Sequence, residues 1–195
     1  MSKLYNTLLQ IILKDIIPAT KISIQNGNKI FGAAILSKKD LSILIVGTNN
    51  EIINPLFHGE ISAINKFYHL NLHKRIDTKD CIFLSTHEPC SLCLSAITWS
   101  GFDNFYYFFP YSDTQNKFNI PHDIKILKEV FKLNDVKYNK NNEYWNSYSI
   151  IDENRKLNIK EKVQNDIFIE KIYQEYEFLS EFYQKMKINN KIPLK

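Results

Sequence analysis

Arginine is nearly missing from this chain: of 25 basic residues only Arg75 and Arg155 carry a guanidinium. Surfaces that read nucleic acid lean on that planar fork for bidentate contacts, so a dedicated nucleic-acid partner is not favoured. The net charge of +4, from 25 basic against 21 acidic residues, is too small to announce a polyanionic partner. Cysteine is scarce as well. Three thiols, Cys81, Cys90 and Cys93, are too few for a disulfide framework. The three-residue spacing of the last two points instead to metal binding or redox chemistry. Long apolar runs are also lacking. Leu8 to Ile17 is interrupted by Lys14 and Asp15 with no small-residue cleavage site after it, so it reads neither as a secretion signal nor as a membrane span. These absences predict a cytoplasmic protein with no membrane partner.

What remains is ordinary globular composition, with 44% hydrophobic and 24% charged residues over a length of 195 that suits one domain with a real core. Leu4, Leu8, Ile11, Ile12 and Ile16 recur at helical spacing, and Pro18 is expected to close that helix. Strands are expected at Lys21 to Ile24, Phe31 to Leu36, Ile43 to Gly47, Ile82 to Thr86 and Phe105 to Phe109. Helices are expected from near His58, from Pro89 to about Ser100, and from His122 to Leu133. Ile159, Val163, Ile167, Ile172, Tyr176, Leu179, Tyr183 and Met186 trace one face of a long C-terminal helix. Strands alternating with helices argue an α/β sandwich around a central sheet. The aromatic run Phe105 to Tyr111 and the C-terminal stripe are more apolar cover than a small sandwich needs, which predicts a homo-oligomer.

The informative feature is His58-Gly59-Glu60, followed beyond one strand by Pro89-Cys90-Ser91-Leu92-Cys93. Pro89 suits the first turn of a helix. Cys90 and Cys93, at i and i+3, then share one face, and the positive helix end favours the thiolates that zinc binds. His58 supplies a third, neutral ligand. Three protein ligands leave a fourth tetrahedral position for water, the mark of a catalytic Zn²⁺ site. Glu60, outside the ligand set, is the expected proton shuttle. Each half alone is weak, since H-x-E arises by chance and C-x-x-C also serves redox dithiols. Together and in order they form the known signature of zinc deaminases. Cys81 reads as a small buried hydrophobe rather than a fourth ligand. His69, His73, His87 and His122 read as packing or surface residues.

Phe31-Gly32-Ala33, Gly47-Thr48-Asn49-Asn50, Asn54-Pro55 through Glu60, and Thr86 through Trp99 resemble the cytidine deaminase-like superfamily, over roughly residues 20 to 115. Within it the chain looks like the guanine and nucleoside deaminase branch, with bacterial tRNA adenosine deaminases as neighbours. The resemblance implies a three-layer α-β-α sandwich with a central five-stranded mixed sheet, usually oligomeric. It implies that residues 1–150 form the zinc deaminase domain and 151–195 a C-terminal helical extension of it. It also implies Phe31 as a wall of the base pocket and Asn49 as a substrate hydrogen-bonding side chain. Three departures stand out. The usual Pro before Phe-Gly-Ala is Ile30, and Asp-Pro-Thr-Ala-His-Ala-Glu becomes Asn54-Pro55-Leu56-Phe57-His58-Gly59-Glu60. The loop after Asn49 is shortened. Leu56 and Phe57, where small residues are common, bear on pocket shape.

The expected activity is hydrolytic, zinc-dependent release of ammonia from an aminated nucleobase or nucleoside, a small-molecule substrate. Two other readings are a tRNA adenosine deaminase, disfavoured by scarce arginine, and a noncatalytic zinc-binding partner subunit, disfavoured by the retained Glu60.

Overall fold

The protein is described by a computed structural model covering residues 2–135 and 137–195. Five strands make one mixed sheet in the order β2-β1-β3-β4-β5, from β1 (Gly32–Ser37), β2 (Ile43–Thr48), β3 (Cys81–His87), β4 (Asn104–Phe109) and β5 (Asn146–Ser149). β1 pairs antiparallel with both β2 and β3, whereas β3-β4 and β4-β5 are parallel. The parallel steps need crossovers, and the first of these is helix α4 (Ser91–Trp99).

Each face of the sheet is buried under helices, because successive side chains of β1 and β3 point opposite ways. Ala33, Ile35 and Phe83 face α3 (Gly59–His69) and α4, packing with Ala63, Phe67 and Ile97. Ala34, Leu36, Ile82 and Leu84 face the other layer, where Leu8, Ile12, Ile16, Ile172 and Tyr176 lie. That layer consists of the N-terminal helices and the long α8 (Ile159–Met186). The three-layer sandwich implied by the resemblance is therefore the fold.

The N-terminal segment departs from expectation. Pro18 does not end a helix: α1 (Ser2–Ile11) runs through a π-helical turn at Ile12–Ile16 into α2 (Ile17–Gln25). A proline removes one helical donor and crowds the carbonyl four residues back. The widened turn takes up that misfit, with the Ile17 N–H reaching back to the Ile12 carbonyl. Lys21 to Ile24 is consequently helix and not strand. Its burial follows Ile17, Thr20 and Ile24, while Ile22 is exposed. The loop after β4 holds a short α5 (Tyr111–Asn116), followed by α6 (His122–Glu129), and the segment after residue 145 becomes β5 and α7 (Ile150–Arg155).

Helix α8 is where expected, but its buried stripe is only half right. Ile172, Tyr176, Leu179 and Tyr183 are buried, whereas Ile159, Val163 and Ile167 are exposed. In the first half Asn165 turns inward instead, bonded to Asn6 and Asn154 at 2.9 Å each. The aromatic run is accounted for within the chain. Phe105, Tyr107, Phe108 and Phe109 are all buried on the two sides of β4, so that run is no argument for a partner.

Candidate metal centre

Two helix starts converge at the ends of β1, β2 and β3. His58 is the N-cap residue of α3, and Cys90 the N-cap of α4. Pro89 thus stands just before the helix rather than in its first turn. Helix α3 reaches this place because nothing but hydrogen projects from two glycines. A Cβ on Gly59 would lie 2.9 Å from Gly32 Cα, and one on Gly47 would lie 2.5 Å from the Ala63 amide nitrogen. The backbone of α3 therefore rests directly on β1 and β2.

His58 Nδ1 lies 3.4 Å from Cys90 Sγ and 3.6 Å from Cys93 Sγ, and the two sulfurs are 3.7 Å apart. A tetrahedral zinc with Zn–S of about 2.3 Å and Zn–N of about 2.0–2.1 Å has ligand–ligand edges of roughly 3.5–3.8 Å. The three donors fit that ion. Cys81 sits at the start of β3, its thiol directed at the Asp77 carbonyl at 3.4 Å. It takes no part, as expected of a buried small residue.

Glu60 follows His58 by two residues and is buried beside the sulfurs. Its Oε2 is 3.3 Å from Cys93 Sγ, and its Oε1 accepts a 2.9 Å hydrogen bond from Ser85 Oγ. Burial, reinforced by the Cys90 charge, holds the Glu60 carboxyl above its ordinary pKa. For His58, burial works against the imidazolium. The Cys90 hydrogen bond and the nearby charges of Cys90, Glu60 and Glu51 outweigh it, and the group is pushed up to about 9. The Cys93 hydrogen bond is the main reason that Cys90 is held well below the usual thiol range.

A cavity of about 230 Å³ opens beside the cluster, with His58 and Cys90 among its lining residues. Its walls are mostly apolar, from Phe31, Leu56, Leu92, Ile120, Ile126 and the C-terminal residues Ile192 to Leu194. Phe31 is thus at the cavity, braced by an edge-on contact with His87 at 4.6 Å. Asn49 is not. Its amide is occupied by Glu51 Oε2 at 2.8 Å and by the Gly59 N–H at 2.6 Å. Leu56 lines the cavity, whereas Phe57 borders a separate surface depression on the Asn49 side. His87 is a packing residue, ringed by Phe31, Phe109, Phe118 and Tyr176.

Four neighbours of the site escaped the sequence reading: Lys29, Glu51, Ser85 and Asp123. Asp123 lines the cavity from the first turn of α6, and burial raises its carboxyl well above the usual range. In sequence it looks like any acid at a helix start. Ser85 had a legible signal, since it is where β3 turns from the apolar run Cys81 to Leu84 to the polar Ser85-Thr86-His87.

The model of the cytidine and deoxycytidylate deaminase zinc-binding region matches residues 9–109, just over half the chain. The chain belongs to this family. Zinc is accordingly the metal that the donor set and the family share. The guanine deaminase of Bacillus subtilis (strain 168) is 39% identical over 72 residues, 36% of this chain and 44% of that protein. A probable cytosine deaminase of Schizosaccharomyces pombe is 28% identical over 89 residues, 46% of this chain and 52% of that one. The chain thus spans about half the length of the curated relatives it matches. Among solved structures, the Bacillus subtilis guanine deaminase superposes with a TM-score of 0.51 at 26% identity, covering 69% of this chain and 86% of that one. Guanine deaminase from Nitrosomonas europaea shares the fold, with a TM-score of 0.50 at 18% identity over 84% and 81% of the two chains. No helix among the described residues is long and apolar enough to cross a membrane.

Proposed function

We propose that this protein is a zinc-dependent hydrolytic deaminase of a small aminated heterocycle, with His58, Cys90 and Cys93 as the metal ligands. The observation that carries this is the buried carboxylate of Glu60, 3.3 Å from Cys93 Sγ, beside a three-donor set at a cavity wall. Bound zinc would supply the Lewis acidity that makes a water nucleophilic near neutral pH. Glu60 would carry both protons of the attacking water in turn, the first to the ring nitrogen and the second, taken from the new hydroxyl, to the departing amine, which leaves a carbonyl and ammonia. A structural zinc site has no use for a buried carboxylate of this kind, so the noncatalytic reading loses ground.

Cavity size and wall chemistry favour a free base or nucleoside over an RNA loop. At about 230 Å³ the cavity is smaller than the roughly 300–1,000 Å³ of drug-sized ligand sites. Phe31 would stack on a planar ring, and the raised carboxyl of Asp123 would meet ring nitrogens or an exocyclic amine. Similarity to guanine deaminases over part of the chain supports an aminated purine as the first substrate to test. Asn49 would touch substrate directly only by releasing Glu51 or Gly59. Residues 1–150 would form the deaminase domain, with 151–195 its helical extension. A homo-oligomer remains part of the reading, now resting on Trp99, which is 91% exposed at the end of α4.

Ammonia release measured against bases, nucleosides, nucleotides and tRNA tests the proposal. Turnover of a free base or nucleoside is expected, abolished by Glu60→Gln with zinc content unchanged. Adenosine-to-inosine conversion in tRNA, with silence on every free base and nucleoside, would move the assignment to tRNA editing.

A further inference from the structure

Beside the metal donors lies a buried ion pair that the proposed chemistry does not use. Lys29 Nζ is 2.6 Å from Glu51 Oε1, and the two side chains are only 6% and 2% exposed. Glu51 Oε2 accepts the Asn49 amide at 2.8 Å, and its Oε1 faces His58 Nε2 at 3.8 Å. The other ring nitrogen of His58, Nδ1, is the one directed at both sulfurs.

We propose that Glu51, with its charge balanced by Lys29, is a positioning residue that fixes the ring of His58 so that Nδ1 meets the metal. This rests on the reading of His58 as a ligand. Metal-binding histidines characteristically direct their second nitrogen at a carboxylate or carbonyl, which sets both tautomer and ring orientation. Glu51 is the acidic side chain facing that nitrogen. Burying two charges is expensive, and a pair of well-packed apolar residues usually does as well or better for stability. The surrounding wall of Phe31, Ile120 and Leu194 is apolar. An ion pair kept in such a wall therefore calls for a use beyond cohesion. The hub also reaches the helix itself. Asn49, held by Glu51, accepts the Gly59 N–H at 2.6 Å and so satisfies a free donor in the first turn of α3. Lys29 comes from the α2–β1 loop and Glu51 from the β2–α3 loop, so the pair ties two connections to one ligand.

The test is zinc affinity of the full chain, read by competition with a chromophoric chelator. Glu51→Gln combined with Lys29→Met removes both charges at once and leaves neither unpaired. Zinc affinity is expected to fall roughly 10–100-fold, and the absorption bands of the Co²⁺-substituted variant to shift. Wild-type affinity with an unchanged Co²⁺ spectrum would reduce the pair to a loop fastening and overturn the proposal. Nitrogen NMR of the zinc-loaded wild type gives an answer that does not depend on the variant folding. A His58 ring with Nδ1 on the metal and a slowly exchanging Nε2–H supports the proposal, and a ring bound through Nε2 overturns it. Failure of the underlying reading looks different: His58→Ala would then hold zinc as tightly as wild type.

Discussion

Ser85 and Glu60 meet across the layer boundary of the fold: the strand hydroxyl donates to the helix carboxylate at 2.9 Å, and both residues are buried. That bond aims Glu60 Oε2 at the cysteine side of the site. Ser85→Ala should leave one zinc per chain and lower kcat more than it changes KM. A hydrogen bond to a charged group is worth about 1.5–3 kcal/mol, or roughly 10–150-fold. Steady-state kinetics beside metal analysis checks this. An unchanged kcat would remove Ser85 from the machinery.

Zinc occupancy separates the three thiols. Ala at His58, Cys90 or Cys93 should strip the metal, because two remaining donors no longer close the site. Cys81→Ser should keep it, since that thiol points to the Asp77 carbonyl. Metal analysis of the four purified variants decides. Loss of zinc from Cys81→Ser would favour a closed four-ligand site.

A methyl group on Gly59 would meet Gly32 Cα at 2.9 Å. Gly59→Ala should therefore destabilise by about 1–3 kcal/mol, the usual cost of overpacking. It should also lower activity, since pushing α3 outward moves His58 and Glu60 together. Denaturant unfolding and turnover are the measurements. A variant as stable and active as wild type would show that α3 has room to shift.

Trp99 lies 91% exposed on the same helix as the partly exposed Leu92, an apolar pair about two turns apart on one side of α4. If copies associate through this helix, Trp99→Lys should shift sedimentation toward monomer and leave the zinc content intact. A wild-type protein that sediments as a monomer at micromolar concentration would remove the oligomer from the proposal.

The candidate site was legible in the sequence because it is locally encoded. Cys90 and Cys93 share a helix start by spacing alone, and Glu60 follows His58 by two residues, so the candidate donors and the carboxylate beside them could be read from the order of residues. Strands β1 to β4 and helices α3, α4 and α8 were equally plain, since their periodicity reflects burial on one or both faces. Short apolar stretches were not. Lys21 to Ile24 suits a strand or a helix, and only packing against β2 and α8 made it helical. The inward side of the first half of α8 was decided in the same way, by a buried asparagine cluster rather than by an apolar stripe. The rest of the site required the tertiary structure. Lys29, Glu51, Ser85 and Asp123 come from two loops, a strand and a later helix, up to 94 positions apart in the numbering. No periodicity links such residues. Their meeting depends on the way the sheet and the glycine-tight seat of α3 bring two loops, a strand and a helix to one point.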